Sequence, residues 1–240
     1  MEISRRIGWF RRDRAAIALL VLAALLFAGR AWLRDHPQHN PWAPLDLRDQ
    51  PGWATERKLA ALRDDPGECR VVLGRSEIAF TVLDPAGAGD CRHEDRTALS
   101  DFPMAPASPP TTCAVAAGLE LWFSQTVQPA ATELLGSPVA RIEHLGAYSC
   151  RRIGGGEGGR WSEHATGNAI DIAAFVLEDG RRIAVIADWR GENPEARFLH
   201  RVRDGVCALF GTVLSPDYNE AHRDHLHLDQ AARGFGSFCR

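Results

Sequence analysis

An apolar run near the N-terminus confines the folded domain to the residues that come after it. Residues 15–29 are apolar, and a basic segment containing Arg5, Arg6, Arg11, Arg12 and Arg14 precedes them. Ala31, Trp32 and Leu33 extend the run if Arg30 reaches the interface, which approaches the ~20 residues that a spanning helix needs. Because basic residues flank such a run on its cytoplasmic side, we predict a cytoplasmic tail over residues 1–14 and a transmembrane anchor over residues 15–33.

A cleaved signal peptide would show the same charge pattern, so it is the alternative to an anchor. Signal peptides end in small residues at the cleavage site, whereas Arg30, Trp32 and Leu33 follow the run here. We therefore favour a single-pass inner-membrane protein whose C-terminal domain lies in the periplasm, with cleavage and secretion as the alternative. Residues 34–56 are rich in proline and are predicted to be a linker, which leaves residues 57–240 for one domain.

Six cysteines lie beyond the apolar run: Cys69, Cys91, Cys113, Cys150, Cys207 and Cys239. An even number in an exported domain favours disulfides, and the wide spacing does not match a C-x-x-C metal motif. Many pairings are open. We expect sequence neighbours to pair, which joins Cys69 to Cys91, Cys113 to Cys150 and Cys207 to Cys239.

The net charge of −3 is distributed unevenly. Residues 1–34 hold seven arginines against Glu2 and Asp13, so this segment carries +5 and the remainder carries about −8. A domain that is acidic overall lacks the electrostatic footprint of a nucleic-acid-binding protein. The membrane is therefore an expected partner, through the N-terminal helix, and nucleic acid is not.

Hydrophobic periodicity predicts an α+β domain after the linker. Helical spacing covers residues 55–63 and 113–135, and Asn193-Pro194 predicts the start of a helix that runs to about residue 210. Strands are predicted at residues 70–73, 77–83, 139–148, 169–176 and 181–187, with an irregular segment at 84–111 and a glycine-rich loop at 151–160. The expected architecture is an antiparallel sheet with flanking helices, preceded by one transmembrane helix.

Two short polar motifs suggest a metal site on that sheet. In the first motif, His164 precedes Asp171 by seven residues, and Gly167 permits a tight turn between them. In the second, His222, His225 and His227 lie within six residues, and the alternation with leucines places the last two on one strand face. A catalytic zinc ion takes three imidazole or carboxylate ligands and keeps a fourth position open. Two half-buried strands with solvated polar residues are the alternative.

The first motif resembles S-x-H-x-x-G-x-A-x-D of the D-alanyl-D-alanine carboxypeptidase, murein endopeptidase and lysostaphin group of zinc peptidases. Each fixed position is matched, by Ser162, His164, Gly167, Ala169 and Asp171. A narrower resemblance, over roughly residues 69–229, is to the bacterial extensin-like C-terminal domain family. The segments that carry it are residues 148–152, 161–172 and 222–229.

This resemblance implies roles for individual residues. His164, Asp171 and His227 would bind Zn²⁺, and His225 would act as general base, with His222 in support. Arg151, Arg152 and Ser162 would bind substrate, although Ser149 and Cys150 separate Arg151 from Tyr148, whereas in the wider group the arginine directly follows the tyrosine. Asp224 stands where many carboxypeptidases of the group have glutamate, which moves the base assignment to His225. Glu163 and Asp229 could orient the ligand imidazoles, although a solvated carboxylate is the simpler interpretation of each.

The function implied is hydrolysis of peptidoglycan peptide bonds, of D,D- or L,D-type, by a membrane-anchored zinc peptidase. Peptidoglycan is then the expected substrate and partner. A second hypothesis is a cell-wall-binding module that keeps a structural metal site without catalysis. The departures from the group at Asp224 and Arg151 support this alternative.

Overall fold

The N-terminal helix is long, and its apolar stretch is not buried within the described residues. A computed structural model describes residues 3–233 and 236–240, so the first two residues of the predicted tail lie outside the described residues. Helix α1 spans Ile3–Asp35, and its Asp13–Asp35 part is long and apolar enough to cross a membrane, with a mean hydropathy of 2.2 and no burial of its apolar stretch. Such a helix could be a membrane span or a signal sequence.

The predicted linker contacts the domain along part of its length. Leu45 and Leu47 are 8% and 3% exposed and belong to the main hydrophobic core. The backbone N–H of Leu47 donates to the Ser76 hydroxyl at 2.8 Å. The apolar pair in this proline-rich segment is therefore part of the domain's packing.

Two helices follow, and one of them replaces a predicted strand. Helix α2 spans Thr55–Ala61, as expected, but helix α3 spans Pro66–Arg75 where residues 70–73 were predicted to be extended. The Asp65 carboxylate accepts a hydrogen bond from Glu68 N at 2.9 Å, and Pro66 occupies the first turn. An N-cap followed by proline is a helix start signal, and it outweighs the β-branched pair inside this segment.

The sheet that carries the site has seven strands and is mixed. The strands, in order along the chain, are β3 (Met104–Ala105), β4 (Val139–Gly146), β5 (Ala169–Leu177), β6 (Arg182–Ala184), β7 (Thr212–Leu214), β8 (Leu226–Asp229) and β9 (Phe238–Cys239). Their order in the sheet is β3-β4-β5-β8-β7-β9, with β6 on β5, while β1 (Phe80–Leu83) and β2 (Arg96–Leu99) form a separate pair.

The prediction of a purely antiparallel sheet is wrong at two edges. Strand β3 runs parallel to β4, and β9 runs parallel to β7, whereas the described central pairs are antiparallel. Helices lie between β3 and β4 in the chain, which is the kind of crossover that a parallel pair requires. Each of the two edge strands has only two residues, too few for an alternation pattern to show in the sequence.

Helices close the core on one side of the sheet. The segment predicted as the longest helix after the anchor forms α4 (Cys113–Trp122), a π-turn (Phe123–Val127) and α5 (Gln128–Leu135). The short α6 (Val185–Asp188) leads to α7 (Pro194–Val206), whose Asn193 cap matches the prediction. Trp122 and Phe198 each meet Phe175 of β5 edge to face, with ring centroids 5.9 and 5.1 Å apart. These aromatic contacts fix the position of β5 from the helix side of the sheet.

Three disulfides are present, and two of the expected pairings are wrong. The bridges join Cys69 to Cys113, Cys91 to Cys150 and Cys207 to Cys239, and only the last was expected. Because α3 packs against α4, Cys69 meets the first residue of α4 rather than the next cysteine in the chain. The first two bridges thus join parts that are distant in sequence instead of closing local units.

Candidate metal centre and its cleft

Two of the predicted ligands face each other across a pair of central strands. Asp171 on β5 stands opposite His227 on β8 in the antiparallel register. Their flanking neighbours, Ile170 and Leu226 among them, are fully buried in the core. Since side chains alternate along a strand, burying these apolar neighbours turns the Asp171 and His227 side chains to the opposite face.

The third ligand comes from a short turn before β5. Residues Glu163–Thr166 form a 3₁₀ turn that ends at Gly167 in the left-handed conformation, φ +69°. The carbonyl of His164 accepts a hydrogen bond from Ser149 N at 2.9 Å, which fixes the turn to the end of the β4 segment. The predicted fold-back of His164 towards Asp171 is confirmed, because its Nε2 lies 3.2 Å from Asp171 Oδ1.

The three atoms that converge have the separations of a metal ligand set. His164 Nε2 is 3.1 Å from His227 Nδ1, and His227 Nδ1 is 2.9 Å from Asp171 Oδ1. Tetrahedral ligands around a zinc ion stand roughly 3.3 Å apart. All three residues are buried, between 3% and 9% exposed. This cluster could hold a metal ion.

Hydrogen bonds on the far sides of the rings fix which nitrogens carry protons. His164 Nδ1 donates to the carbonyl of Ala147 at 3.0 Å, and His227 Nε2 lies 3.0 Å from Asp229 Oδ2, to which it donates. The remaining nitrogens, His164 Nε2 and His227 Nδ1, therefore present unshared electron pairs to Asp171. Three electron-rich atoms at this distance favour a cation among them, and the residues fit a divalent metal of the zinc type.

In the metal-free protein, a proton on His227 supplies the positive charge among these three atoms. Burial acts to lower the pKa of His227, but the hydrogen bonds with Asp171 and Asp229 outweigh it and raise the pKa to about 9. Burial acts to raise the pKa of Asp171, but hydrogen bonds with His164 and His227 hold it well below its ordinary range. The carboxylate is thus ionised and the His227 ring is positively charged in the metal-free protein at neutral pH.

His225 lies beside the three ligands and is oriented by its sequence neighbour. Its Nδ1 donates to Asp224 Oδ1 at 2.8 Å, so its Nε2 carries the free electron pair. That Nε2 lies 3.6 Å from Asp171 Oδ1. The sequence had suggested that His225 lies within the strand. It instead directly precedes Leu226, the first residue of β8.

His222 belongs to the same group of rings. Its ring centroid is 5.2 Å from that of His225 and 5.9 Å from that of His227, and its Nδ1 donates to Asn219 Oδ1 at 2.7 Å. Burial lowers the pKa of His222 to about 4, and the positive charges of His227 and Arg151 add to this effect. The structure thus brings together the five residues predicted for metal binding and catalysis.

A cleft of about 860 Å³ opens beside these rings. His164, His222, His225 and His227 line it, so both histidines of the candidate metal cluster face an open groove. The glycine-rich loop forms part of its rim, where Arg152 stacks on Trp161 with its guanidinium carbon 4.2 Å from the ring centroid. Four arginines line the cleft in total: Arg151, Arg152, Arg160 and Arg233.

The predicted substrate-binding residues lie in this cleft, although Ser162 also has a structural contact. The hydroxyl of Ser162 accepts a hydrogen bond from His164 N at 3.3 Å and caps the turn that carries the ligand. Arg151 lies close enough to His222 for its charge to contribute to the lowered pKa of that ring. Arg160 and Arg233 were missed, because arginine is common throughout the chain and carries no motif.

Asp229 and Glu163, the two carboxylates that could orient the ligand imidazoles, have different contacts in the structure. Asp229 is 3% exposed and holds the His227 ring, so its simpler interpretation as a solvated residue is wrong. Spacing two residues after His227 on one strand was the available signal. Glu163 instead accepts a hydrogen bond from Asn168 Nδ2 at 2.6 Å. His93, although it lies in a polar stretch of the sequence, is 2% exposed and stacks on Tyr148.

Fold and site together define an α+β protein with a buried two-histidine, one-aspartate cluster beside an open cleft. A family model described as Extensin-like protein C-terminus matches residues 67–240. The chain belongs to this family of extensin-like C-terminal domains. Neither the curated proteins nor the solved structures gave a significant match.

Proposed function

We propose that this chain is a membrane-anchored zinc hydrolase that cleaves D,D- or L,D-type peptide bonds of peptidoglycan in the periplasm. The observation that carries the proposal is the convergence of His164 Nε2, Asp171 Oδ1 and His227 Nδ1 within 3.2 Å of one another, beside an open cleft. A zinc ion held by these three residues would supply a Lewis acid that polarises a peptide carbonyl and activates water.

The residues around the cluster suit the proton transfers of peptide hydrolysis. With Nδ1 bound to Asp224, His225 offers Nε2 as a general base that takes a proton from water and returns it to the leaving amine. Asp224 acts through His225 as a positioning residue, in place of the glutamate of related peptidases. His222 is uncharged at neutral pH because of its lowered pKa, and it can accept a hydrogen bond at the same wall.

The cleft's charge suits the free carboxylates of a peptidoglycan stem peptide. Arg151, Arg152, Arg160 and Arg233 line it, against the two acidic residues Glu163 and Asp229, which are bonded to Asn168 and His227. Arginine binds carboxylates in a bidentate manner, which would orient the peptide over the cluster. We assign Arg151 and Arg152 to this role.

A muropeptide digest tests the proposal. The full chain, purified in detergent and loaded with zinc, is incubated with cross-linked and linear muropeptides, and the products are read by mass spectrometry. We expect cleaved stem peptides, a ~10²–10⁴-fold lower rate for His225→Ala, and an intermediate loss for Asp224→Asn. His144→Ala, outside the cleft, is the matched control.

No product from any muropeptide with a folded, zinc-loaded chain would contradict the proposal. Binding to sacculi without hydrolysis, unchanged in His225→Ala, would instead favour the wall-binding module. The exposure of the cluster to an open cleft supports catalysis over a closed structural site.

A further inference from the structure

Among the tryptophans whose side chains the structure describes, every strongly exposed one lies between the last turns of the apolar helix and the start of α2. Trp32, Trp42 and Trp53 are 45%, 84% and 64% exposed. The other tryptophans whose side chains are described, Trp122, Trp161 and Trp189, are buried or half-buried. An indole ring in water is unfavourable, whereas the boundary between headgroups and acyl chains accommodates both its apolar body and its N–H.

The first and last of these tryptophans are joined by stacked rings. Trp32 stacks on His36 and His39 with centroids 4.4 and 5.3 Å apart, and His39 stacks on Trp53 at 5.8 Å. Trp32 belongs to the last turns of α1, whereas Trp53 lies just before α2 of the domain. The ring column therefore places a domain residue at the level where the apolar helix ends.

Hydrogen bonds and a close backbone approach fix the junction between the end of α1 and the domain. Lys58 Nζ donates to the carbonyl of Pro37 at 2.7 Å, and Ala54 N donates to the carbonyl of Gln38 at 3.3 Å. A Cβ atom on Gly52 would lie 2.5 Å from that same Gln38 oxygen, so only glycine allows the approach. Together with the buried Leu45 and Leu47, these contacts dock the domain on the helix end.

Trp42 must lie near the same level. It follows His39 by three residues, which span at most ~10 Å of chain, and its backbone N–H donates to Asn40 Oδ1 at 3.1 Å. Arg34 in the last turn of α1 adds positive charge at this height, which suits anionic headgroups. The exposed rings thus lie close to the end of the apolar helix.

We propose that Trp32, Trp42 and Trp53 form an interfacial belt that lies in the headgroup region of the bilayer crossed by α1, and that it seats the domain directly on the membrane surface. The inference rests on the proposed membrane anchor and is independent of catalysis. It fixes the partner as a phospholipid bilayer surface and fixes which face of the domain meets it.

Quenching by brominated lipids tests the belt in the full chain. The protein is reconstituted, one copy per nanodisc, in phosphatidylethanolamine and phosphatidylglycerol brominated near the headgroup end of the acyl chains. We expect the quenchable part of the tryptophan emission to fall by roughly a third or more in the Trp42→Phe, Trp53→Phe double variant. Trp161→Phe, in the cleft, is the control and should leave the quenchable part unchanged.

Each outcome bears on the proposal. The substitutions keep an aromatic ring at exposed positions, and unchanged melting temperatures establish that the variants fold. Quenching that disappears with Trp32→Phe but is unaffected by the double variant would overturn the belt while leaving the anchor intact. Absence of quenching from all three positions, or an intact mass that shows removal of α1, would overturn anchor and belt together. Protection of Trp42 or Trp53 from an aqueous quencher without quenching by bromolipid would indicate a protein partner and would overturn the belt.

Discussion

At the residue scale, the candidate site is governed by where protons sit on three rings. One ring nitrogen of His164 donates to Ala147 O, and one ring nitrogen of His227 donates to Asp229. The other nitrogen of each ring points towards Asp171. His225 does the same with Asp224 but lies slightly farther from Asp171 Oδ1, at 3.6 Å against 2.9 Å for His227. Neighbouring histidines of one motif are therefore assigned different roles.

Alanine substitutions should separate these roles. His227→Ala leaves two ligands and should lose most of the bound zinc, whereas His225→Ala should keep nearly stoichiometric zinc and lose catalysis. Zinc content by atomic emission, measured beside activity, checks both. Equal zinc loss in the two variants would mean that His225 is a fourth ligand and that the site is closed. Full retention in His227→Ala would mean that the ligand assignment is wrong.

Metal binding should release a proton from His227. Its pKa of about 9 in the metal-free protein means that the ring is charged below that pH, and a metal ion must displace the proton. The apparent affinity should therefore rise up to about tenfold per pH unit towards pH 9 and level off above it. Calorimetric titration at pH 7.5 in buffers of different ionisation enthalpy measures the release; a heat that is independent of the buffer would contradict this prediction.

The same pKa sets the sign of a stability effect in the metal-free protein. Because the folded pKa of His227 lies above its unfolded value near 6.5, its contribution is complete below pH 6.5. That contribution is lost as the pH rises through about 9. Urea unfolding of chelator-treated protein should show stability declining over this interval, and His227→Ala should remove that part of the decline.

At the scale of elements, the site depends on the 3₁₀ turn that delivers His164. Gly167 ends this turn at φ +69°, and an added Cβ would overlap the buried ring of His93. His93 thus supports the turn from behind, although nothing in its polar sequence context distinguishes it from a solvated histidine. Its Nε2 has no hydrogen-bond partner within the described residues.

Gly167→Ala should therefore destabilise the domain and loosen the metal site. We expect a loss of at least about 2 kcal/mol in the free energy of unfolding, since left-handed strain and a steric clash combine. Gly156→Ala in the rim loop is the matched control, because its φ is −86° and no atom lies within 4 Å of the added Cβ. Its effect should stay within about 0.5 kcal/mol. Equal effects in urea unfolding would show that the turn tolerates a side chain.

Some features of these elements can be predicted from the sequence for physical reasons, and others cannot. The placement of Asp171 and His227 on the polar faces of their strands follows from alternation, because Ile170 and Leu226 are buried on the other face. Helix α3 was missed because Val71 and Val72 favour a strand locally, whereas its cap and the packing on α4 decide the outcome. The parallel edges and the Cys69–Cys113 bridge depend on long-range packing that no local pattern records.

At the scale of the whole molecule, two disulfides differ in how closely they adjoin the site. The Cys91–Cys150 bridge adjoins Ser149, whose N–H holds the turn of His164, and Arg151 of the cleft. The Cys207–Cys239 bridge instead attaches the edge strand β9 to the end of α7. The two bridges are thus equivalent as cross-links but differ in distance from the metal ligands.

Removing each bridge should reveal this difference. The Cys91→Ala, Cys150→Ala and the Cys207→Ala, Cys239→Ala double variants should each lose about 2–5 kcal/mol of stability in urea unfolding. Zinc affinity, measured by competition with a chelator, should fall by roughly 10–100-fold only in the first variant, because it loosens the support of a ligand. A similar fall in both would mean that global stability, not local bracing, sets the affinity.

The bracing of the His164 turn by Cys91 and Cys150 also has a bearing on timing. Thiols stay reduced in the compartment where a polypeptide is synthesised, so a newly made chain lacks this brace. For a chain that crosses a membrane, oxidation follows translocation, and the ligands reach their final spacing only afterwards. Under the proposed function, maturation of the site would follow arrival outside the cell interior, so the polypeptide would acquire its metal and its activity only there.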